Sequence, residues 1–218
     1  MAATNIEKLQ QHTKEIYEIM FRAQSSFKIV DYLYRERDGL AIEIINTSQF
    51  LKYTAETHWR IYVIELAKLF APRKSEHYNL HHFIEKFKPG MEYSISEIDA
   101  DVIEKWEQLV DGEKTKINNL LQQRDKLYGH TDKDRHLVAN ILTFEDARKL
   151  IMIVKQVVAE IYDAVLGQSI SLDPIGEPLE DLKRIICTLV DAKKQMYNDY
   201  SAVCKHCGID PGELDIPQ

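Results

Sequence analysis

Apolar residues recur at spacings of three and four along nearly the whole chain, as they do in helices that bury one face. The first run, Ile6, Leu9, Thr13, Ile16, Met20, Ala23, Phe27 and Val30, predicts one long amphipathic helix, straight or broken near Gln24-Ser25-Ser26. Thr4 with Glu7 three residues on forms a capping box at its start, and Gly39 punctuates it. A second stripe, Ala41, Ile44, Ser48, Leu51, Ala55, Trp59, Tyr62, Leu66 and Leu69, predicts a single helix to Ala71, where Pro72 stops it.

The later patterns are read the same way. Asn79 is placed to cap a short helix through Leu80, Phe83, Ile84 and Phe87, ended by Pro89-Gly90. Ser96, with Asp99 three residues later, opens a long helix whose buried side is Ile98, Val102, Trp106, Leu109, Ile117, Leu120 and Leu127. Gly112 is its weak point and Gly129 its C-terminal stop. Thr131 to Leu142 reads as a polar connection. Thr143 and Asp146 then cap a helix that turns Phe144, Ala147, Leu150, Val154, Val157, Ile161 and Val165 inward as far as Gly167. A last stripe, Leu179, Leu182, Ile186, Leu189, Met196, Tyr200, Val203 and Cys207, closes at Gly208.

The architecture expected is all-α, an antiparallel bundle of five or six helices. Residues 1–167 form the bundle, 168–178 (QSISLDPIGEP) a linker, and 179–218 a C-terminal helix and tail packing on the bundle or on a dimer partner. Composition agrees. Eight glycines and six prolines are far fewer than the roughly 26 that average usage would place in a chain this long, which disfavours turn-rich sandwiches and barrels.

With 44% apolar residues the chain can build a core. Its 28 basic against 35 acidic residues, a net charge of −7, exclude a protein held on DNA by bulk positive charge, so sequence-specific DNA binding is not expected. A local basic pocket is compatible with that balance. No apolar stretch reaches the ~18 residues of a membrane span, and Glu7 and Glu15 stand where a secretory segment would be apolar. A cytoplasmic protein without a membrane partner is expected, and three cysteines make no disulfide framework.

Most motif classes are absent from the sequence: no phosphate-cradling glycine loop, no GxSxG and no HExxH. Cys204 and Cys207 make one CxxC, where a structural zinc needs four ligands. They read as packing residues or free thiols, with a zinc shared across a dimer as the alternative. His77, His81 and His82 read as a solvated turn rather than a metal face, for want of a specified third ligand. No metal and no cofactor is expected.

The segment LQQRDKLYGHTD (121–132) differs. Arg124 and His130 are six positions apart, so on an unbroken helix their side chains would diverge by about 120°. They converge only if the helix ends between them, and Gly129 supplies that end. An arginine fork beside a titratable imidazole suits phosphate chemistry: the guanidinium grips non-bridging oxygens and the imidazole moves a proton. The bland alternative is an ordinary helix end with both residues exposed.

The run RDKLYGHTD, at the end of a long helix, resembles the HEPN superfamily signature of an arginine, a polar residue and, a few positions on, a histidine. Together with HWRIYVIELAKLF (58–70), SEHYNLHHFIEKF (75–87) and a helix opening with TFEDA, residues 1–167 resemble the abortive-infection U-type HEPN-like family. Gly129 stands where many members carry alanine. The resemblance implies a metal-independent endoribonuclease acting in phage defence or as the toxin of a toxin–antitoxin pair. In it the RNA 2′-hydroxyl attacks the adjacent phosphate, Arg124 stabilises the developing charge and His130 serves as acid or base. It further implies a homodimer that brings two motifs together, and an antitoxin protein as a possible partner. Asp125 and Tyr128 are auxiliary candidates, Gly129 is structural, and Lys126, Lys133 and Arg135 would attract the RNA backbone. Asp125, Asp132 and Asp134 offset that attraction. A non-catalytic helical module binding RNA, a nucleotide or a protein is the alternative.

Overall fold

The computed structural model describes residues 4–35, 39–72, 77–94, 98–129, 142–165, 167, 172, 178–208 and 210. Among them the regular structure is helical, without a strand, so the fold is all-α. Eight α-helices are present among the described residues: α1 Asn5–Tyr34, α2 Leu40–Thr47, α3 Gln49–Phe70, α4 Leu80–Glu85, α5 Ala100–Asp111, α6 Lys114–Gln123, α7 Phe144–Ala164 and α8 Pro178–His206.

Two of the expected long helices are each divided. The stripe from Ala41 to Leu69 crosses a break at Ser48, whose backbone is extended at φ −80° and ψ 113°. Local hydroxyls explain it. Thr47 Oγ1 donates back to the Glu43 carbonyl, and Ser48 Oγ accepts the Leu51 N–H at 3.2 Å, so the serine caps α3 instead of continuing α2. The stripe from Ile98 to Leu127 is likewise divided at Gly112 and Glu113. Glu113, 8% exposed, pairs with Lys116 within α6 and with Lys149 of α7 at 2.5 Å. That helix also starts later than expected: α5 opens after Asp99, and Ser96 lies outside the described residues.

Other starts follow the sequence signals. Thr4 N donates to Glu7 Oε2 at 2.7 Å while Glu7 N donates to Thr4 Oγ1 at 3.2 Å, and α1 then runs 30 residues without interruption. The Asn79 carboxamide accepts the His82 N–H at 3.0 Å, and Gly90 takes φ +80° in the turn after α4. Thr143 and Asp146 form a reciprocal capping box on α7.

The chain divides into two compact units, residues 1–27 with 59–174, and residues 28–58 with 175–218. The core of the first is built on Ile16, Met20, Tyr62, Phe83, Trp106, Leu120 and Val154, each fully or almost fully buried. That of the second is smaller: Ile29, Leu33, Ile45, Leu51, Ala55 and Ile186. Most of the linker stretch 168–178 lies outside the described residues.

One buried polar residue of the first unit sets a pH dependence. His12 Nε2 lies 3.0 Å from the His77 carbonyl, which can only accept, so Nε2 carries the proton and Nδ1 accepts from the Tyr93 hydroxyl at 3.1 Å. Burial of the ring, and then Lys86, lower its pKa to about 4, against the His77 carbonyl, Glu15 and Glu92. A depressed folded-state pKa gives stability that is complete above the unfolded value near 6.5 and lost as pH falls toward 4. Between pH 7 and pH 5 the loss from this group is about 2 kcal/mol. Urea titrations at the two pH values should show that loss in the parent and a clearly smaller one in His12→Gln.

Candidate active site

The site begins with how α6 ends. Ile117, Leu120 and Gln123 are buried and fix which face of the helix meets the core. Immediately afterwards the backbone widens into a π-helical turn over Arg124–Gly129. The π turn is described as far as Gly129, and the residues that would show whether the helix stops there lie outside the described ones. Such turns insert a residue into a helix and often mark functional positions.

The contacts that hold the turn are tertiary. On an α-helix, residues five apart point about 140° away from each other. Here Gln123 Nε2 donates to the Tyr128 hydroxyl at 3.2 Å across that spacing, which the wider turn permits. The same carboxamide accepts the Leu142 N–H at 3.1 Å, tying the end of α6 to the residue that leads into α7. From α3, Arg60 Nη2 donates to the Tyr128 carbonyl of the π turn at 3.2 Å.

Within this frame Arg124 is more covered than a solvent-projecting helix-end residue, its side chain 14% exposed. Its Nε lies 2.7 Å from Oδ1 of Asp125, which is 44% exposed. Tyr128 is half-buried and packs on the edge of the core. Lys126 is half-buried on the same turn. The structure thus brings Arg124 to Asp125 and Tyr128 to Gln123. His130, Lys133 and Arg135 lie outside the described residues, as do Asp132 and Asp134.

Two contributors escaped the sequence reading. Gln123 had a signal: a polar residue between Leu120 and Leu127, where the buried stripe calls for an apolar one. Arg60 had none beyond being a lone cation in an otherwise apolar run. Gln123→Met keeps the volume but removes both hydrogen bonds and leaves the buried Leu142 N–H without its acceptor. It should cost about 1–3 kcal/mol in urea denaturation.

The His77 carbonyl serves His12, and His81 Nδ1 lies 3.6 Å from Glu85. Cys204 is buried and Cys207 exposed at the end of α8. Among the described residues no three His, Cys, Asp or Glu side chains group to hold a metal ion. No helix of the described residues is long and apolar enough to cross a membrane.

The all-α structure of the described residues, with Arg124 and Asp125 on the turn that follows α6 and a histidine five positions after Asp125 in the sequence, fits the HEPN type. The AbiU2 family model matches residues 6–185, and the chain belongs to that family. No curated protein and no solved structure matches it.

Proposed function

We propose that this protein is a metal-independent endoribonuclease of the HEPN type, acting in phage defence by abortive infection or as the toxin of a toxin–antitoxin pair. The observation that carries the reading is the seating of Arg124: membership of the AbiU2 family coincides with an arginine fixed on a π turn beside Asp125. In the reaction the RNA 2′-oxygen forms a bond to the adjacent phosphorus and the P–O5′ bond breaks. The 2′-hydroxyl proton leaves to a base and the departing 5′-oxygen gains one. His130 moves protons in this exchange, and Arg124 binds the non-bridging oxygens as charge builds on them. Asp125 orients the guanidinium through the 2.7 Å pair. Tyr128 assists from the same turn, and Lys126, Lys133 and Arg135 draw in the RNA backbone. Two protomers bring their motifs together in a cytoplasmic homodimer, and an antitoxin restrains it.

A second reading, a non-catalytic module binding RNA, a nucleotide or a protein, is favoured by that same ion pair, because Asp125 already neutralises the charge that would hold a phosphate. Incubating the purified protein with total RNA in EDTA separates the two. The nuclease reading expects fragments ending in 2′,3′-cyclic phosphate and 5′-hydroxyl. Intact RNA, with no growth defect on overexpression, supports the binding module.

A further inference from the structure

The second unit carries an apolar helix face that is exposed among the described residues. Along α8, Leu179, Leu182, Ile186 and Val190 turn into the core of that unit. The neighbouring arc holds Ile185, Leu189, Ala192, Met196, Tyr200 and Val203, which at 100° per residue fall within about 80° of one another. Ile185 is 56% exposed, Leu189 44%, Met196 56%, Tyr200 51% and Val203 60%. Thirteen large hydrophobic side chains are exposed among the described residues, and five of them lie on this single stripe. A contiguous apolar surface of that kind marks an interaction site, whereas scattered single residues do not. All but the first residue of the stripe lies beyond the family match, which ends at residue 185.

Helix dipole and spacing identify the occupant. The acidic first turn of α8 is neutralised within the helix, Glu180 by Lys183 and Asp181 by Arg184, so the end charges do not set the orientation. Two copies of α8 laid antiparallel oppose their helix dipoles favourably. The stripe is also nearly symmetric about position 194. Antiparallel pairing there sets Ile185 opposite Val203, small Ala192 opposite large Met196, and Leu189 within one residue of Tyr200. A surface complementary to itself under a two-fold rotation is what an isologous contact requires.

We propose that the exposed face of α8 is a self-association surface, on which a second copy of this chain docks its own α8 antiparallel about a two-fold axis near Lys194. The contact is distinct from any pairing of the Arg124 motifs and does not depend on nuclease activity.

Sedimentation equilibrium of the full chain at micromolar concentration tests it. Leu189→Glu with Met196→Glu should halve the mass of the assembly while far-UV circular dichroism stays helical. Arg124→Ala should leave the mass unchanged. An unchanged mass for the folded double variant overturns the proposal, and so does a monomeric parent, whether or not another protein co-purifies on α8. Orientation is read by cross-linking in a Cys187→Ser/Cys207→Ser background. Copies bearing Ala192→Cys and copies bearing Met196→Cys, co-expressed, should give several-fold more disulfide-linked dimer than either alone. Equal linking in each single population, without excess in the mixture, signifies parallel pairing and contradicts the proposal.

Discussion

Arg124→Ala and His130→Ala should each lower RNA cleavage by about two to four orders of magnitude, the usual loss when a positioned acid, base or charge-stabilising group is removed. Arg124→Lys should fail almost as badly, because an ammonium cannot grip two phosphate oxygens in one plane. Asp125→Asn should be milder, since an amide oxygen can occupy the same place 2.7 Å from Arg124 Nε and only the charge is lost. The Arg124 side chain is 14% exposed, so melting temperatures must accompany the rates. Loss of cleavage at an unchanged melting temperature is the expected pattern. If the segment is only a helix end, His130→Ala will leave both measurements unchanged.

Trp106→Ala should destabilise the first unit by about 3–5 kcal/mol, the range for truncating a buried aromatic side chain. The indole is fully buried and meets Phe87 edge-on, with centroids 5.7 Å apart. Its Nε1 donates to Glu160 Oε2 at 2.6 Å, while Lys105 and Gln156 donate to the other oxygen of that carboxylate. Trp106→Phe keeps most of the apolar volume and loses the N–H, so it should cost clearly less, though Glu160 then lacks one of its donors. Urea denaturation orders the three proteins. A loss under 1 kcal/mol for the alanine variant would mean that α5 does not pack on α7 through this residue.

What could be read from the sequence divides along physical lines. The caps at Thr4, Asn79 and Thr143 were legible because each is a hydrogen bond between residues three apart. Buried faces were legible from the spacing of apolar residues. The break at Ser48 was not, because the apolar stripe continues in phase across it; at Gly112 the glycine marked a weak point, but the stripe, in phase on both sides, hid a full division. That is how five or six expected helices became eight. On α8 the expected stripe joined two faces: Leu182 and Ile186 turn inward, while Leu189, Met196 and Tyr200 remain exposed.

The site was legible only in part. Arg124 and Asp125 stand out by residue type, yet the π turn that carries them depends on contacts from Arg60, nearly seventy positions upstream, and from Leu142. No local pattern in RDKLYG announces a π turn over an ordinary helix end.

Cleavage by this protein should require the RNA 2′-hydroxyl as nucleophile, and one substrate pair tests that directly. An RNA oligonucleotide carrying the cleaved bond is compared with the same strand bearing a single 2′-deoxynucleotide immediately 5′ of that bond, both incubated with the protein in EDTA. The all-ribose strand should be cut to a 2′,3′-cyclic phosphate and the substituted strand should survive at that position. Cleavage of both at the same bond, or of neither, would contradict it.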